Sequence, residues 1–316
     1  MVRKFGFAAI LVSVSLAASA AMAEKFTFVA LGDMPYGPPE KVFKPFETLI
    51  QTINARKPAF TLHIGDTKSG STKCDNEMLD AQLGFLNSFA PAAIYTPGDN
   101  EWTDCHRSKA GGFDPIERLN HIRQTYFTDP STSFGTKPMK LEFQSANYPE
   151  NTRFSKSDVA FVQAHVVGSN NNFEVRDMKA VEEYMARDKA NVDWLNQSFD
   201  KASAEGATAI VLSIHANMFW TGFNPPWRAE SFLGHSGFKN FGEALVKKAG
   251  EFKKPVLLIF GDSHTFRIFK PFPKTAANIQ ALEVFGAREM HAVEVSVDTN
   301  AAGIFDFTPI LNPALQ

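Results

Sequence analysis

Five apolar runs of strand length in this chain each lead into a turn that carries an acid or an imidazole. Phe26–Leu31 runs into Gly32-Asp33, Phe60–Ile64 into Gly65-Asp66, and Pro255–Phe260 into Gly261-Asp262-Ser263-His264. Ala92–Tyr95 leads through Thr96 to Pro97-Gly98-Asp99-Asn100-Glu101-Trp102, and Ala209–Ile214 leads to His215. Short apolar runs bounded by turn residues read as buried strands. Glycine at the strand end lets the backbone turn sharply and lets a ligand come close. The carboxyl edge of an open α/β sheet is where such folds bind ligands. One Gly-Asp after a strand is an ordinary turn; its recurrence is what constrains the fold. Asp33, Asp66, Asp99, His215, Asp262 and His264 would then converge, and carboxylates with imidazoles are the donor set of divalent metals. Six donors oversupply one ion, so the expectation is a two-metal centre.

Helical patterns alternate with the early strands, around Val42–Ala55 and Asp75–Phe89. From Trp102 to Pro149 the chain reads as a long polar insertion with a helix near Pro115–Tyr126. Val159–Val167 reads as a strand and Asp177–Ala204 as a long helix. The tail runs Gln280–Phe285, Met290–Val297 and Gly303–Phe307 read as antiparallel strands. This order suits an α/β protein of two sheets packed face to face with helices outside. The 30 Phe are scattered and read as core filler.

The order of the loops is similar to the motif series of the calcineurin-like metallophosphoesterases, over essentially the whole mature length. Asp33 falls at the first motif, Asp66 at the second, Asp99 to Glu101 at the third, His215 at the fourth, and Asp262 with His264 at the fifth. Asp193-Trp194-Leu195 resembles the Gln-x-x-Trp-Leu helix that many members carry. The resemblance implies an αββα sandwich of two mixed sheets. It implies one metal on Asp33, Asp66 and His264, and a second on Asp66, Asp99, His215 and Asp262. Pro35 stands where the first-motif His would be; Tyr36 or water are the alternatives for that position, and Ser69 stands where purple-acid-type members have Tyr. Asp99 replaces the usual Asn and Asp262 the usual His. Four carboxylates favour harder ions, so Mn or Fe leads, with Mg, Ca or Zn possible.

The implied activity is metal-assisted hydrolysis of a small phosphomonoester or phosphodiester. Asn100 occupies the position of the family's proton-donating His and has no titratable proton. His106, in the same loop, is the expected substitute, and Lys68 and Arg107 are expected to hold the anionic substrate. The alternative is a catalytically weakened metal- or solute-binding protein on the same fold, and a third class is an interaction role for the 102–149 insertion. Phe219, Trp220, Phe223 and Trp227 either shape the substrate pocket or cap the sheet, and Ser169–Asn172 can present amides to a ligand. His63 reads as structural, and neither His165 nor His235 reads as a ligand.

Arg3 and Lys4, the apolar run Phe5–Ala18 and Ala21-Met22-Ala23 make a secretory signal peptide over 1–23, with a mature domain over 24–316. The expectation is an exported protein, periplasmic in a Gram-negative cell, with no stable membrane anchor after cleavage. A formal charge of −2 indicates no nucleic-acid partner. Cys74 and Cys105 each follow a motif loop and are expected to form a disulfide. Nothing in the sequence speaks to oligomeric state.

Overall fold

The computed structural model describes residues 1–2, 25–219 and 236–315. The expected signal peptide and the loop residues Trp220, Phe223, Trp227 and His235 lie outside them. Two mixed sheets carry the fold. The first, of five strands, runs β12 (Phe305–Ile310), β11 (Ala292–Val297), β1 (Phe26–Leu31), β2 (Phe60–His63), β3 (Ala92–Tyr95). The second, of seven, runs β4 (Glu142–Ser145), β5 (Tyr148–Lys156), β6 (Val159–Gln163), β7 (Ala209–Ser213), β8 (Val256–Phe260), β10 (Ile279–Glu283), β9 (Arg267–Phe269).

Strand β1 shows how the layers arise. Its side chains alternate with period two. Phe28 and Ala30 enter the core between the sheets, while Val29 and Leu31 face the opposite side with helix α1 (Pro39–Arg56). Phe28, Phe60 and Phe161 lock the two sheets together, with Phe28 stacked on Phe60 at 5.2 Å and Phe161 edge-on to Phe60 at 4.9 Å. The scattered Phe residues are core filler here, as expected. On the outer face of the second sheet, Trp194, Leu195 and Phe199 of α4 (Met178–Ala204) pack with Leu245 and Phe252 of α5 (Lys239–Phe252). Helix, sheet, sheet, helix is the expected αββα sandwich. Helices α2 (Asn76–Ser88) and α3 (Pro115–Tyr126) start where Asp75 and Asp114 accept amide N–H groups of the first turn.

Three expectations change. The tail is not uniformly antiparallel: β10 pairs in parallel with β8 and antiparallel with β9, while β11 and β12 join the other sheet. Nothing in the mostly buried run of β10 marks its direction. The 102–149 segment is built into the core: Leu119, Ile122 and Tyr126 pack with Leu79, Tyr95 and the fully buried Trp102, and Phe134 pairs antiparallel with Ala93. The strand expected over 159–167 stops at Gln163, because side chains take over the ladder. The amide of His165 donates to Asn151 Oδ1 at 2.7 Å, and its carbonyl accepts from Arg187 Nη1 at 2.8 Å and Asn191 Nδ2 at 2.7 Å.

Candidate metal centre

Strands β1, β2 and β3 are parallel, and so are β6, β7, β8 and β10. Backbone bonds draw their carboxyl ends together at one rim. The Asp33 amide donates to the Gly65 carbonyl at 3.0 Å, and the Gly261 amide to that of His215 at 3.0 Å. The sheets are tied to each other there: His215 Nδ1 bonds the Ile64 carbonyl at 3.0 Å, and the Asp262 amide donates to both Asp33 carboxylate oxygens at 3.1 Å.

The six expected ligands meet at this rim. His215 Nε2 lies 2.9 Å from Asp99 Oδ1 and 3.4 Å from Asp66 Oδ1. Donor atoms of Asp33, Asp66 and His215 lie within 4.8 Å of one another, and so do those of Asp99, His215 and Asp262. His264 Nε2 is 3.5 Å from Asp33 Oδ1, and its ring stands edge-on to Tyr36 at 5.1 Å. Asp33, Asp66, Asp262 and His264 hold left-handed backbone, with φ of 55°, 54°, 74° and 59°. Such conformations are costly for side-chain-bearing residues and gather at functional sites.

Two glycines set how tightly the loops close. A Cβ on Gly98 would fall 2.1 Å from Asp66 Oδ1, and one on Gly168 would fall 2.6 Å from Asp99 Oδ1. At Gly98 the Cβ would also strike the Asp66 backbone N at 2.4 Å, while at Gly168 it would displace the Asp99 and Asp262 carboxylates.

The donor chemistry fits divalent cations. A backbone carbonyl only accepts, so Nδ1 of His215 carries a proton and Nε2 is the atom aimed at Asp99 and Asp66. A ring fixed in this tautomer by a carbonyl is the arrangement of metal-ligating histidines. Asp66 and Asp99 beside it are buried, Asp262 is half-buried, and their charges crowd together. Burial and the Asp99 charge push Asp262 up to about 7. Burial raises Asp66 well above the carboxylate range against the pull of His215. Burial works against ionisation of Asp99 too, but His215 and Ser169 hydrogen bonds hold it down to about 2. His215 is desolvated, yet Asp66 and Asp99 keep it far above the usual imidazole range.

A surrounding layer holds these groups. Glu101, fully buried, accepts amide N–H bonds from Thr67 at 2.6 Å, Gly98 at 3.1 Å and Asp66 at 3.2 Å. Tyr36 donates its hydroxyl to Asp66 Oδ2 and accepts from Asn100 Nδ2 at 2.7 Å, so it does reach into the gap left by Pro35. Ser169 Oγ contacts Asp99 Oδ2 and Asp104 Oδ1, each at 2.8 Å. One hydroxyl proton serves one of these contacts, so the other needs a second proton. Burial and Asp99 push Asp104 up to about 7.

The four residues expected to serve the substrate part company. Asn100 lines the rim cavity of about 430 Å³, and its side chain also donates to Asp66 Oδ2. Arg107 lines it too, its Nη1 2.6 Å from Asp104 Oδ2. Lys68 is buried, and its ammonium donates to the Ser69 and Thr72 carbonyls at 3.3 and 3.1 Å, away from the cavity. His106 is exposed, donates from Nδ1 to the Thr103 carbonyl at 2.6 Å, and faces a neighbouring cleft. Asp104 and the partner role of Ser169 escaped sequence reasoning. The run Ser169-Asn170-Asn171-Asn172, all at positive φ, was the available signal. His63 and His165 are buried and structural, as expected: His63 Nδ1 accepts from the Gly65 amide, and His165 bonds Glu150 at 2.8 Å. Cys74 and Cys105 form the expected disulfide.

No family model and no curated protein sequence matches this chain. Among solved structures, the chain is similar to a purple acid phosphatase from yellow lupin (Lupinus luteus) seeds, with 12% identity and a TM-score of 0.50 over 92% of this chain. The chain spans about half of that structure, 54% of its length. It also resembles TT1561 of Thermus thermophilus, with 8% identity and a TM-score of 0.45, over 90% of this chain and 99% of that one. The first likeness is one of fold: the αββα sandwich here is similar to that of the lupin phosphatase. Among the described residues no helix is long and apolar enough to cross a membrane.

Proposed function

We propose that the rim cluster holds two divalent cations and hydrolyses a phosphate ester beside them. The observation that carries this reading is His215, fixed by the Ile64 carbonyl and aimed at two buried carboxylates from the opposite sheet. Asp33, Asp66 and His264 would hold one ion; Asp66, Asp99, His215 and Asp262 the other. Their oxygen-rich donors favour Mn or Fe. Such a pair, when bound, supplies Lewis acidity toward a phosphoryl group and makes water acidic near neutral pH. Arg107 and the Asn100 amide face the cavity where the phosphoryl oxygens would lie and can orient them. Asn100 has no titratable proton for the leaving oxygen and His106 lines the adjoining cleft rather than the rim cavity, so esters with acidic leaving groups, or with an alcohol that reaches His106, react best. The disulfide supports export, with the substrate met outside the cytoplasm.

A second reading, metal binding without turnover, is favoured by that same lack of an imidazole beside Asn100. Metal analysis of the purified protein, joined to hydrolysis of p-nitrophenyl phosphate and bis(p-nitrophenyl) phosphate with Mn²⁺, separates the two. Turnover that drops at least roughly 100-fold in Asp66→Ala supports the phosphoesterase. Stoichiometric metal with no turnover of either ester leaves the binding reading, and neither metal nor turnover removes both.

A further inference from the structure

The rim cavity does not end at the cluster. Asp104, Arg107 and Ser169 line it and also line a second cleft of about 660 Å³ on its outer side. The two cavities therefore adjoin, with Arg107 between them. The outer part is walled by the starts of α3 and α4, including Pro115, Ile116 and Ala180. Its volume is that of an organic-ligand pocket and exceeds what a phosphate needs.

Its charges say what it can hold. Arg107 is paired with Asp104 at 2.6 Å, Arg176 with Glu174 at 2.7 Å, and Lys179 with Asp114 at 3.6 Å. Asp177 is committed to the start of α4, where it accepts from the Lys179 amide at 2.9 Å. Among the described residues, each Lys and Arg on this wall has a carboxylate partner, so the cleft has no surplus charge for a second phosphate. Carbon surface from Pro115, Ile116 and Ala180 suits an uncharged organic body instead.

Resting on the phosphoesterase reading, we infer that the outer cleft receives the alcohol portion of the ester. The preferred substrate then carries an uncharged, ring-bearing alcohol of about nucleoside size, and the rim cavity takes its phosphate.

The test compares adenosine 5′-monophosphate with glycerol 3-phosphate, both primary alkyl esters, on the Mn²⁺-loaded protein, and measures adenosine binding by calorimetry. Two variants fill the cleft: Ala180→Trp from the wall and Lys179→Trp from the exposed rim, which needs no buried space. The expected result is a higher kcat/KM for the larger ester, a selectivity ratio that falls about tenfold in both variants, and adenosine binding that weakens with it. A ratio unchanged in the folded variants overturns the inference. Turnover of both esters without preference, and without adenosine binding, overturns it while leaving the phosphoesterase intact. Adenosine binding that the variants abolish, with neither these esters nor p-nitrophenyl phosphate nor bis(p-nitrophenyl) phosphate hydrolysed, supports the cleft as an organic-ligand site and removes the phosphoesterase reading.

Discussion

His215 leaves the end of β7 in one sheet, and its Nδ1 donates to the carbonyl of Ile64 at the end of β2 in the other, 3.0 Å away. That single bond fixes the ring tautomer and closes the rim between the sheets. His215→Gln is expected to lower Mn²⁺ affinity by roughly 100-fold or more, beyond the loss typical of residues that only support a ligand. Calorimetric titration checks it; wild-type affinity in this variant would remove His215 from the centre.

Glu101 offers a different test, because it holds the site without facing the cavity. Its carboxylate serves three amides, those of Thr67, Gly98 and Asp66. Glu101→Gln turns one acceptor into a donor aimed at backbone N–H groups. We expect a destabilisation of about 2–3 kcal/mol, the scale of a buried group left unsatisfied, together with weaker metal binding. Chemical denaturation and metal titration are the two readouts. A variant as stable as wild type would show that the amides find other partners.

The disulfide joins two segments that flank the site, and both cysteines are fully buried. Its sequence separation of 31 gives an expected contribution of about 3–4 kcal/mol from restricting the unfolded chain. Denaturant midpoints of Cys74→Ser/Cys105→Ser against wild type, each with and without reductant, check this. Reductant should matter for wild type alone.

A buried ion network supplies a pH prediction away from the metal site. Glu150 contacts Arg123 Nη2 at 2.5 Å and His165 Nδ1 at 2.8 Å. Burial would raise Glu150, but Arg123 and His165 bring it from 4.5 down to about 2. Burial lowers His165 from 6.5 to about 4 against the pull of Glu150. In both cases the unfolded chain binds the proton first as pH falls. Stability is therefore fully present above pH 6.5 and declines below it, first through His165 down to about 4, then through Glu150 from 4.5 toward about 2. Each proton contributes up to ~1.4 kcal/mol per pH unit. Denaturant titrations at pH 7 and pH 5 should show the drop, and His165→Gln should flatten it. An equal slope in the variant would rule out His165 as the source.

The strands and the six cluster residues were legible because each lies in one short stretch, where apolar run, glycine and acid stand side by side. What was not legible depends on residues brought together by folding. Glu101 reads as one more polar loop residue until its oxygens are seen to gather amides from two loops. Lys68 and Arg107 look alike in sequence, yet one ammonium turns inward to loop carbonyls while the other cation stands between the two cavities. The direction of β10 depended on neighbours far along the chain.

Asp33, Asp66 and Asp262 occupy left-handed backbone, which aspartate tolerates better than most residues but less readily than glycine. At these three places comfort of the chain and chemistry of the side chain pull in opposite directions. Glycine would relieve the backbone there but forfeit the amide hydrogen bonds that the three carboxylates accept. Three aspartates kept where glycine would sit more easily mark the places at which the torsions of the chain and the chemistry of the rim compete.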